Sequence, residues 1–306
     1  MTWLDRQSFL GADSDDVLKA RTVGIVGLGG GGSHVAQQLA HVGIGSFILV
    51  DPDAIEDTNL NRLVGAMFED VGQGTAKVNI ATRLIKGVNP DALVEPIKEV
   101  WQAAGEAIKR CDVIVGGLDS VRAKDELDAF CRRFLIPYID MGMDVHGEAG
   151  QHLISGQVIL SSAGNPCLRC LGLVTEKALA AEAARDGAAG SKPQVVWPNG
   201  VIASTAVGLV LQIVTPWQAA PVEAAYLEYD GNRGTMTPSY RLKHASAAEC
   251  SHYPSAERGD PGFDIRKFLR ASSATRKPEV VVEAPPHAEP SPRLFERIRR
   301  LLTGPR

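Results

Sequence analysis

The sequence lacks the features that membrane and secreted proteins carry. No stretch approaches the roughly 20 consecutive apolar residues that a membrane-spanning helix needs. Residues 1–6 have neither the charged start nor the apolar core of a signal peptide. Cysteine is scarce, with five in 306 residues, and this odd, sparse set argues against a disulfide framework. These absences predict a cytoplasmic protein that does not act at a membrane.

Charge is present but unevenly distributed. The net charge is −4, although residues 264–306 contain 10 basic and 5 acidic residues, so that the rest has 22 basic and 31 acidic residues. An acidic body argues against nucleic acid as the main partner. Residues 253–292 are predicted to form a tail that ends in a proline-rich linker. Residues 293–306 predict a basic amphipathic helix, which we expect to dock on another protein.

The chain is organised around an apolar strand that runs into a glycine-rich turn. Residues 22–26 predict a buried strand, and apolar residues at helical spacing follow from Val35. Strand, glycine turn and helix together place backbone N–H groups where phosphates bind. A second apolar run ends in Asp51, 24 residues after Gly27, where an acid can bind a ribose hydroxyl. The turn, which fits NAD and a nucleoside triphosphate equally well, contains Gly27, Gly29, Gly30, Gly31 and Gly32.

Strands alternate with helices as far as residue 140, which predicts an α/β protein with a Rossmann-like, mostly parallel sheet and flanking helices. A change to alternating polarity after that point predicts an antiparallel extension of the sheet. The further predicted elements are an N-terminal helical arm at 1–20, antiparallel strands within 145–165, a mobile loop at 176–195, an apolar helix at 201–214, and a final strand pair at 226–229 and 239–242.

Taken in chain order, the motifs resemble the family of ThiF, MoeB and HesA, the bacterial relatives of ubiquitin-activating enzymes. The resemblance covers residues 3–252, so we expect an adenylation domain over 1–252. It implies ATP-dependent adenylation of the C-terminal glycine of a ubiquitin-like or sulfur-carrier protein, with release of pyrophosphate. The motifs that carry it are Arg6-Gln7, the glycine turn, Asp51, Asn59-Leu60-Asn61-Arg62, Lys77, Asn89-Pro90, Asp119 and Pro166-Cys167-Leu168-Arg169-Cys170.

The resemblance implies roles for individual residues in binding ATP and magnesium. Arg62 and Lys77 match the phosphate-binding positions of the family, and Asp119 matches its magnesium-binding aspartate. Asp51 matches the ribose ligand, and Asn59 matches a polar residue beside the phosphates. Taken singly, Arg62 and Lys77 could be solvated surface charges, and Asp119 could be a helix N-cap.

Two positions bear on the subunit arrangement and on the phosphate site. Arg6 matches an arginine that reaches the ATP of the other subunit, which implies an obligatory homodimer. The family commonly follows its aspartate with Asn and, one helical turn later, with Arg. Here Ser120 follows the aspartate, and Arg122 and Lys124 lie near the arginine position. A cation is therefore available, but the sequence leaves open which of the two serves.

A zinc site is implied by the resemblance, but one of its usual ligands is missing. Relatives bind zinc with two Cys-x-x-Cys pairs, and Cys167 and Cys170 form the first pair. Near the second pair the chain has only Cys250, followed by His252. Three thiolates with His252 would complete a four-ligand site, and His244 is a weaker candidate for the fourth ligand. The alternative is a metal-free remnant.

The crossover segment also departs from the family pattern. Relatives that form a thioester or persulfide carry a cysteine before the apolar helix, whereas residues 191–200 contain none. The reaction would then stop at the acyl-adenylate, and a nucleophile on a partner would take the acyl group. We expect the helix of residues 293–306 to recruit this downstream conjugating or sulfur-transfer partner. An oxyester on Ser191 or Ser204 ranks second, because a hydroxyl needs a nearby base.

Two other functional classes compete with adenylation. An NAD-dependent oxidoreductase would use the same glycine turn but would show no ATP–pyrophosphate exchange. A non-catalytic module would bind a ubiquitin-like protein without activating it. The combination of Arg62, Lys77 and Asp119 argues against both classes, because neither needs this trio.

Overall fold

The structure is a computed structural model, which describes residues 3–148, 150–184, 193–220, 222, 224–245, 250–253 and 258–259. Met1–Ile265 form one compact unit. The predicted tail, linker and terminal helix of 253–306 lie outside the described residues, apart from positions 253 and 258–259. The predicted recruiting helix of 293–306 therefore stays a prediction.

An eight-stranded sheet forms the centre of the described structure, with strand order β3-β2-β1-β4-β5-β6-β7-β8. The first five strands pair in parallel, and β5 to β8 pair antiparallel. The strands are β1 Thr22–Val26, β2 Ser46–Val50, β3 Leu93–Ile97, β4 Val113–Gly116, β5 Tyr138–His146, β6 Leu153–Ser161, β7 Ala225–Asp230 and β8 Thr235–Pro238. The predicted fold class, a mostly parallel sheet with an antiparallel extension, is confirmed.

Helices cover both faces of the sheet, and each face has its own apolar layer. Residues of α2, α4 and α8 pack with Val23 and Ile25 of β1 on one face. Residues of α5 and α6 pack with Ile114 of β4 on the other face. The helices are α1 Ser14–Lys19, α2 Gly30–His41, α3 Phe68–Gln73, α4 Lys77–Val88, α5 Gly105–Ile108, α6 Val121–Arg133, α7 Glu176–Ala184, α8 Val196–Val214 and α9 Tyr240–His244.

The predicted elements at both ends of the adenylation region need closer definition. The N-terminal arm is a 3-10 helix, Asp5–Leu10, followed by α1. The expected strand at 239–242 is wrong: the last strand is β8, and Ser239 caps α9 by accepting a hydrogen bond from the backbone N–H of Arg241 at 3.2 Å. A serine that can cap a helix competes with strand formation at this point.

The connection between β6 and α8 contains more helix than expected. Residues 176–184, predicted to be part of a mobile loop, form α7, while 185–192 lie outside the described residues. The apolar helix begins at Val196 rather than at residue 201, because Pro198 falls in its first turn, where a missing N–H costs no hydrogen bond.

In the described part of the chain, α8 alone has the length and apolar composition of a membrane span. It contacts α2, β5 and β6 and contributes to one of the two apolar layers, as a core helix does.

Candidate active site and metal centre

A pocket opens at the carboxyl ends of the parallel strands, where α/β sheets bind ligands. The turn after β1, the segment after β2, the first residue of α4 and the end of β4 all contribute side chains or backbone to it. The pocket brings together seven of the predicted residues: Gly29, Gly30, Gly31, Asn59, Arg62, Lys77 and Asp119. Gly27, Gly32, Asp51 and Arg6 are not among its lining residues.

Close packing restricts the glycine turn on two sides. Gly27 has a φ of +88°, and a Cβ there would lie 2.6 Å from the carbonyl oxygen of Gly117. A Cβ at Gly30 would lie 2.5 Å from Nδ2 of Asn199, at the start of α8. The turn is thus clamped between β4 and α8, and this packing leaves the backbone at the N-terminus of α2 facing the pocket.

Asp51 holds the glycine turn from behind the pocket. Its carboxylate is buried and accepts hydrogen bonds from the backbone N–H groups of Leu28 at 2.6 Å and Asp53 at 2.9 Å. Burial raises the pKa of Asp51 above its usual value, although the charge of Lys77 and the two N–H donors oppose the rise. The ribose-binding role of Asp51 stays a prediction.

The two predicted phosphate-binding cations differ in their partners. Lys77 Nζ forms an ion pair with Asp53 at 2.7 Å, and Asp53 is the exposed member of that pair. Arg62 donates from Nη1 to the carbonyl oxygen of Thr58 at 2.5 Å and to Oδ1 of Asn61 at 3.1 Å. Among the described residues no carboxylate pairs with Arg62. Its charge is therefore available to an anion in the pocket.

The loop after β4 presents Asp119 to the pocket. Asp119 is exposed, and it is Ser120 that caps α6 by accepting a hydrogen bond from the backbone N–H of Ala123 at 3.1 Å. The alternative interpretation of Asp119 as the helix N-cap is therefore wrong. Because the cap is provided by its neighbour, the Asp119 carboxylate is free to bind a cation.

Neither candidate for the family's arginine lines the pocket. Lys124 is buried and pairs with both oxygens of Asp140, at 2.8 and 2.9 Å, and donates to the carbonyl oxygen of Met141 at 3.2 Å. Arg122 is exposed at the start of α6. Tyr138 donates its hydroxyl to Asp140 as well, at 2.9 Å. The Lys124 ammonium thus lies behind Met141, which lines the pocket, and its hydrogen bonds join α6 to β5.

Sequence analysis missed three polar or charged residues near the pocket. Gln194 and Asn199 line it, and Asp140 binds Lys124 behind it. Asn199 carried a signal that could have been used, because it is a polar residue at the start of a strongly apolar helix. For Gln194 and Asp140 the sequence gives no comparable signal.

A second cluster contains the predicted metal ligands Cys167, Cys170, Cys250 and His252, whose ligand atoms all lie within 4.8 Å of one another. The three Sγ atoms are 3.4 to 3.5 Å apart. His252 Nδ1 lies 3.4 to 3.8 Å from them. In a regular tetrahedron with zinc–sulfur bonds of about 2.3 Å, neighbouring sulfurs lie about 3.8 Å apart. His244, the weaker candidate, lies in α9 and is not part of the cluster.

The thiols of this cluster differ in their electrostatics. Burial raises the pKa of the Cys167 thiol. Burial also opposes ionisation of Cys250, but hydrogen bonds from Cys167 and from the backbone of His252 and Tyr253 outweigh it and lower its pKa to about 7. Three sulfurs and one imidazole nitrogen are the donor set that zinc prefers in structural sites.

Hydrogen bonds anchor the metal cluster to α6. Arg169, inside the Cys-x-x-Cys motif, donates to both oxygens of Asp125 at 2.7 Å, and the Tyr253 hydroxyl donates to Asp125 at 2.9 Å. The backbone N–H of Leu168 donates to Asp128 at 2.9 Å. The same helix begins immediately after Asp119, so the cluster and the pocket share a structural element.

The remaining cysteines are buried in the core. Cys111 and Cys131 lie in the apolar layer beside α6. Burial raises the pKa of Cys111 to about 12 and also raises that of Cys131. Neither thiol is therefore a nucleophile at neutral pH.

The last two predicted groups lie away from the pocket. Arg6 is exposed in the N-terminal 3-10 helix. Ser204 is exposed on α8 and donates its hydroxyl to the carbonyl oxygen of Gly200 at 2.8 Å. Ser191, the other oxyester candidate, lies outside the described residues.

Three curated relatives illustrate what the chain is similar to. The SAMP-activating enzyme E1 of Haloferax volcanii is 34% identical over 178 residues, covering 56% of this chain and 62% of the relative. The molybdopterin-synthase adenylyltransferase of Escherichia coli is 31% identical over 163 residues, covering 52% and 61%. The tRNA threonylcarbamoyladenosine dehydratase of Escherichia coli is 35% identical over 130 residues, covering 42% and 46%. The chain thus spans less than two thirds of the length of each.

Solved structures agree on the fold. Escherichia coli MccB with ATP superposes with a TM-score of 0.63 at 22% identity, covering 78% of this chain and 71% of that one. PaaA gives a TM-score of 0.56 at 21% identity, covering 74% and 65%. At these identities the likeness shows the fold alone. The ThiF family model, in contrast, matches residues 4–252. The protein therefore belongs to the ThiF family.

Proposed function

We propose that this protein is an ATP-dependent adenylyltransferase that activates the C-terminal glycine of a ubiquitin-like or sulfur-carrier protein. The observation that carries the proposal is one pocket in which Arg62, Lys77 and Asp119 face the glycine turn at the N-terminus of α2. The names of the relatives support it, since they include an adenylyltransferase and an activating enzyme E1. The comparisons favour neither an NAD-dependent oxidoreductase nor a non-catalytic binding module.

The proposed reaction is a displacement at the α-phosphorus of ATP. The carrier's C-terminal carboxylate oxygen attacks that phosphorus, the bond to the β-phosphate oxygen breaks, and pyrophosphate leaves with the bonding electrons. Backbone N–H groups at the start of α2 bind phosphate oxygens, and Arg62 and Lys77 stabilise the charge that develops on them. Asp119 would hold Mg²⁺, which neutralises charge on the triphosphate when bound.

The acceptor in the next step is proposed to belong to another protein. All five cysteines lie among the described residues, two of them buried in the core and three in the metal cluster. Ser204 hydrogen-bonds to the Gly200 carbonyl oxygen, and among the described residues no base hydrogen-bonds to the hydroxyl. A partner nucleophile is thus better supported than an oxyester on Ser204.

The metal cluster is proposed to hold one structural zinc ion. Cys167, Cys170, Cys250 and His252 supply the donor atoms, and all four are protein ligands, as structural zinc sites require. The low pKa of Cys250 favours the thiolate form that binds zinc. The role proposed for the ion is to hold the chain after β6 and the chain after α9 against α6.

A homodimer in which Arg6 reaches the partner's site is also proposed. Large apolar side chains are exposed on the N-terminal 3-10 helix and on α8, among them Phe9, which is 69% exposed, and Trp197, which is 56% exposed. Phe9 packs edge-on against Trp217 with ring centroids 6.2 Å apart. An exposed aromatic side chain on the same 3-10 helix as Arg6 fits a surface that another subunit covers.

The test is ATP–pyrophosphate exchange in the presence of the carrier protein. We expect Asp119→Ala to lower the exchange rate by about 100-fold or more. Without this carboxylate, Mg²⁺ would lose its protein ligand and would no longer be held where it neutralises the charge of the triphosphate. The matched control is Asp91→Ala, which removes an exposed aspartate outside the pocket. If Asp119→Ala retains exchange within about tenfold of the wild type, a loss of only about 1.4 kcal/mol, Asp119 does not hold the metal.

A further inference from the structure

The chain that enters α8 forms one wall of the proposed nucleotide pocket. Gln194 and Asn199 both line the pocket, and Asn199 lies against the glycine turn at Gly30. The Asn199 side chain is buried, with 6% of the residue exposed. Its Nδ2 donates to the carbonyl oxygen of Val195 at 2.9 Å. Something must therefore fix this chain relative to the phosphate-binding residues on the opposite side.

Asn61 makes that connection through a single carboxamide. Its Nδ2 donates to the backbone carbonyl oxygen of Gln194 at 2.9 Å, across 133 positions of sequence. Its Oδ1 accepts a hydrogen bond from Nη1 of Arg62 at 3.1 Å. Both contacts need a neutral amide of this length, since a carboxylate cannot donate and an aliphatic side chain can do neither.

The contacts of Arg62 show what this bond achieves. The Nη1 nitrogen of a guanidinium carries two N–H groups, and here one points to Asn61 and the other to the carbonyl oxygen of Thr58. With Nη1 fixed at both positions, the guanidinium cannot rotate freely. Nη2 and Nε, which form no hydrogen bond with the described residues, are left for an anion such as phosphate.

We propose that Asn61 is a positioning residue that orients Arg62 toward the phosphates and joins it to the chain entering α8. The inference rests on the proposed function, because it assigns Arg62 to the ATP phosphates. Asn61 itself does not line the pocket. It pre-orients a flexible cation, so that less side-chain freedom is lost when ATP binds.

The other side of the same β6–α8 connection is also tied to the pocket. Glu182 of α7 accepts hydrogen bonds from the backbone N–H groups of Val121 and Arg122, at 2.8 and 2.9 Å, in the first turn of α6. That turn follows Asp119 directly. The connection is thus anchored beside Asp119 at one end and beside Arg62 at the other, which supports a positioning role for its anchors.

The first experiment is a double-mutant cycle on ATP affinity in the full-length protein. We expect Asn61→Ala to weaken ATP binding by about tenfold, because Arg62 loses its orientation. In an Arg62→Ala background the same substitution should change affinity by less than about twofold, since the residue through which Asn61 acts is absent. Asn79→Ala, which alters an exposed asparagine of α4 outside the pocket, is the matched control.

The second experiment follows backbone hydrogen exchange of residues 193–200 without nucleotide. We expect faster backbone hydrogen exchange at 193–200 in Asn61→Ala and the wild-type rate of hydrogen exchange in Arg62→Ala, because only the first variant loses the hydrogen bond to Gln194. Asn61 is exposed, so that the variant should fold, which thermal melting checks. The inference is overturned if Asn61→Ala leaves ATP affinity unchanged, if its effect is equally large without Arg62, or if exchange at 193–200 does not change.

The two proposals fail in different ways. A wild-type protein that catalyses ATP–pyrophosphate exchange while Asn61→Ala binds ATP normally would overturn only the role of Asn61. A wild-type protein that neither binds ATP nor catalyses exchange would overturn the proposed function and, with it, this role. In that case, an effect of Asn61→Ala on backbone hydrogen exchange at 193–200 would show that the hydrogen bond to Gln194 has a structural role only.

Discussion

The position of Asp51 in the fold could be predicted from the sequence, but its hydrogen bonds could not. The end of an apolar run marks Asp51 as an acid at the carboxyl end of a strand, and the structure has it there, directly after β2. What the pattern could not reveal is that both carboxylate oxygens bind N–H groups of the turn. A carboxylate has about four lone-pair sites. A ribose contact would therefore have to use those that remain.

Lys124 makes the same point for a charge that the sequence identified as a candidate. Its position in the helix after Asp119 can be read from the sequence, but its burial cannot. Its partner Asp140 lies 16 residues further along, near the start of β5, and only the packing of α6 on β5 brings the two together. Local patterns identify charged residues, whereas long-range packing decides whether they face a ligand or each other.

At residue scale, the ion pair of Asp70 and Arg83 predicts how the free energy of unfolding depends on pH. Arg83 donates to both oxygens of Asp70, at 2.9 and 2.6 Å, and these hydrogen bonds lower the pKa of Asp70 to about 2 from 3.8. A lowered carboxyl pKa stabilises the fold above the unfolded-state value and loses that contribution as the pH falls toward 2. The pair should therefore help to hold α3 against α4 at neutral pH.

We expect Asp70→Asn to lower the free energy of unfolding by about 1 to 2 kcal/mol at pH 7, allowing for solvent screening of the exposed Arg83. The difference from wild type should shrink as the pH falls from about 4 toward 2, because the Asp70 carboxylate of the unfolded wild type is protonated first, while that of the folded protein stays ionised until about pH 2. Urea unfolding at several pH values measures this, with Asp91→Asn as the control. A difference that is the same at pH 7 and pH 3 would contradict the assignment.

At element scale, the parallel strands were the easiest to predict. Runs of Val, Ile and Leu buried on both faces, with an acid or glycine at their ends, located β1, β2 and β4. The errors fell where side-chain hydrogen bonds decide the structure. Ser239 caps a helix where a strand was expected, and α7 follows Thr175, whose Oγ1 accepts a hydrogen bond from the backbone N–H of Ala178 at 3.1 Å.

The metal cluster could be predicted in composition but not in architecture. The family resemblance implied Cys167 and Cys170 as one pair of ligands, with Cys250 and His252 as the rest of the set. The structure brings the four together although 80 positions separate the second cysteine from the third. The structure adds the anchors to α6 through Asp125 and Asp128. These anchors explain why loss of a metal ligand should be felt beyond the loops that carry it.

We expect purified protein to contain about one zinc ion per chain, with three sulfur ligands and one nitrogen ligand. His252→Ala should weaken zinc binding at least about tenfold and lower the melting temperature, because a metal bound only to the folded state stabilises it. His244→Ala, which changes a histidine outside the cluster, should leave both unchanged. Metal analysis and thermal melting provide the measurements. Protein prepared without chelator that contains no zinc would make the cluster a remnant.

At the scale of the whole molecule, the fold class followed from the alternation of strands and helices, but the shape of the pocket did not. Arg62 and Gln194 both line the pocket although they are far apart in sequence. Asn61, the neighbour of Arg62, meets Gln194 across 133 positions, and the packing of α8 on α2, β5 and β6 brings the two together. No periodicity encodes that meeting. For this reason the catalytic candidates could be predicted individually, while the residues that orient them could not.

The proposed homodimer gives the last prediction, which concerns how two chains share a site. Arg6 is exposed and does not line the pocket of its own chain, as expected if it serves the partner's pocket. We expect Arg6→Ala and Asp119→Ala each to lack ATP–pyrophosphate exchange as pure proteins. In a mixed dimer, however, the chain that retains Asp119 receives Arg6 from the other chain, so that one of the two sites is complete.

Co-refolding or co-expressing equal amounts of the two variants should therefore restore about a quarter of wild-type exchange, since half of the dimers are mixed and each has one working site. Light scattering establishes the dimer, and differently tagged chains allow mixed dimers to be purified before the assay. Pure mixed dimers should then reach about half of wild-type exchange. Inactive mixed dimers would mean that Arg6 acts within its own chain. Full activity of Arg6→Ala alone would instead exclude Arg6 from the reaction, because a cation that stabilises phosphate charge cannot be lost without slowing the displacement.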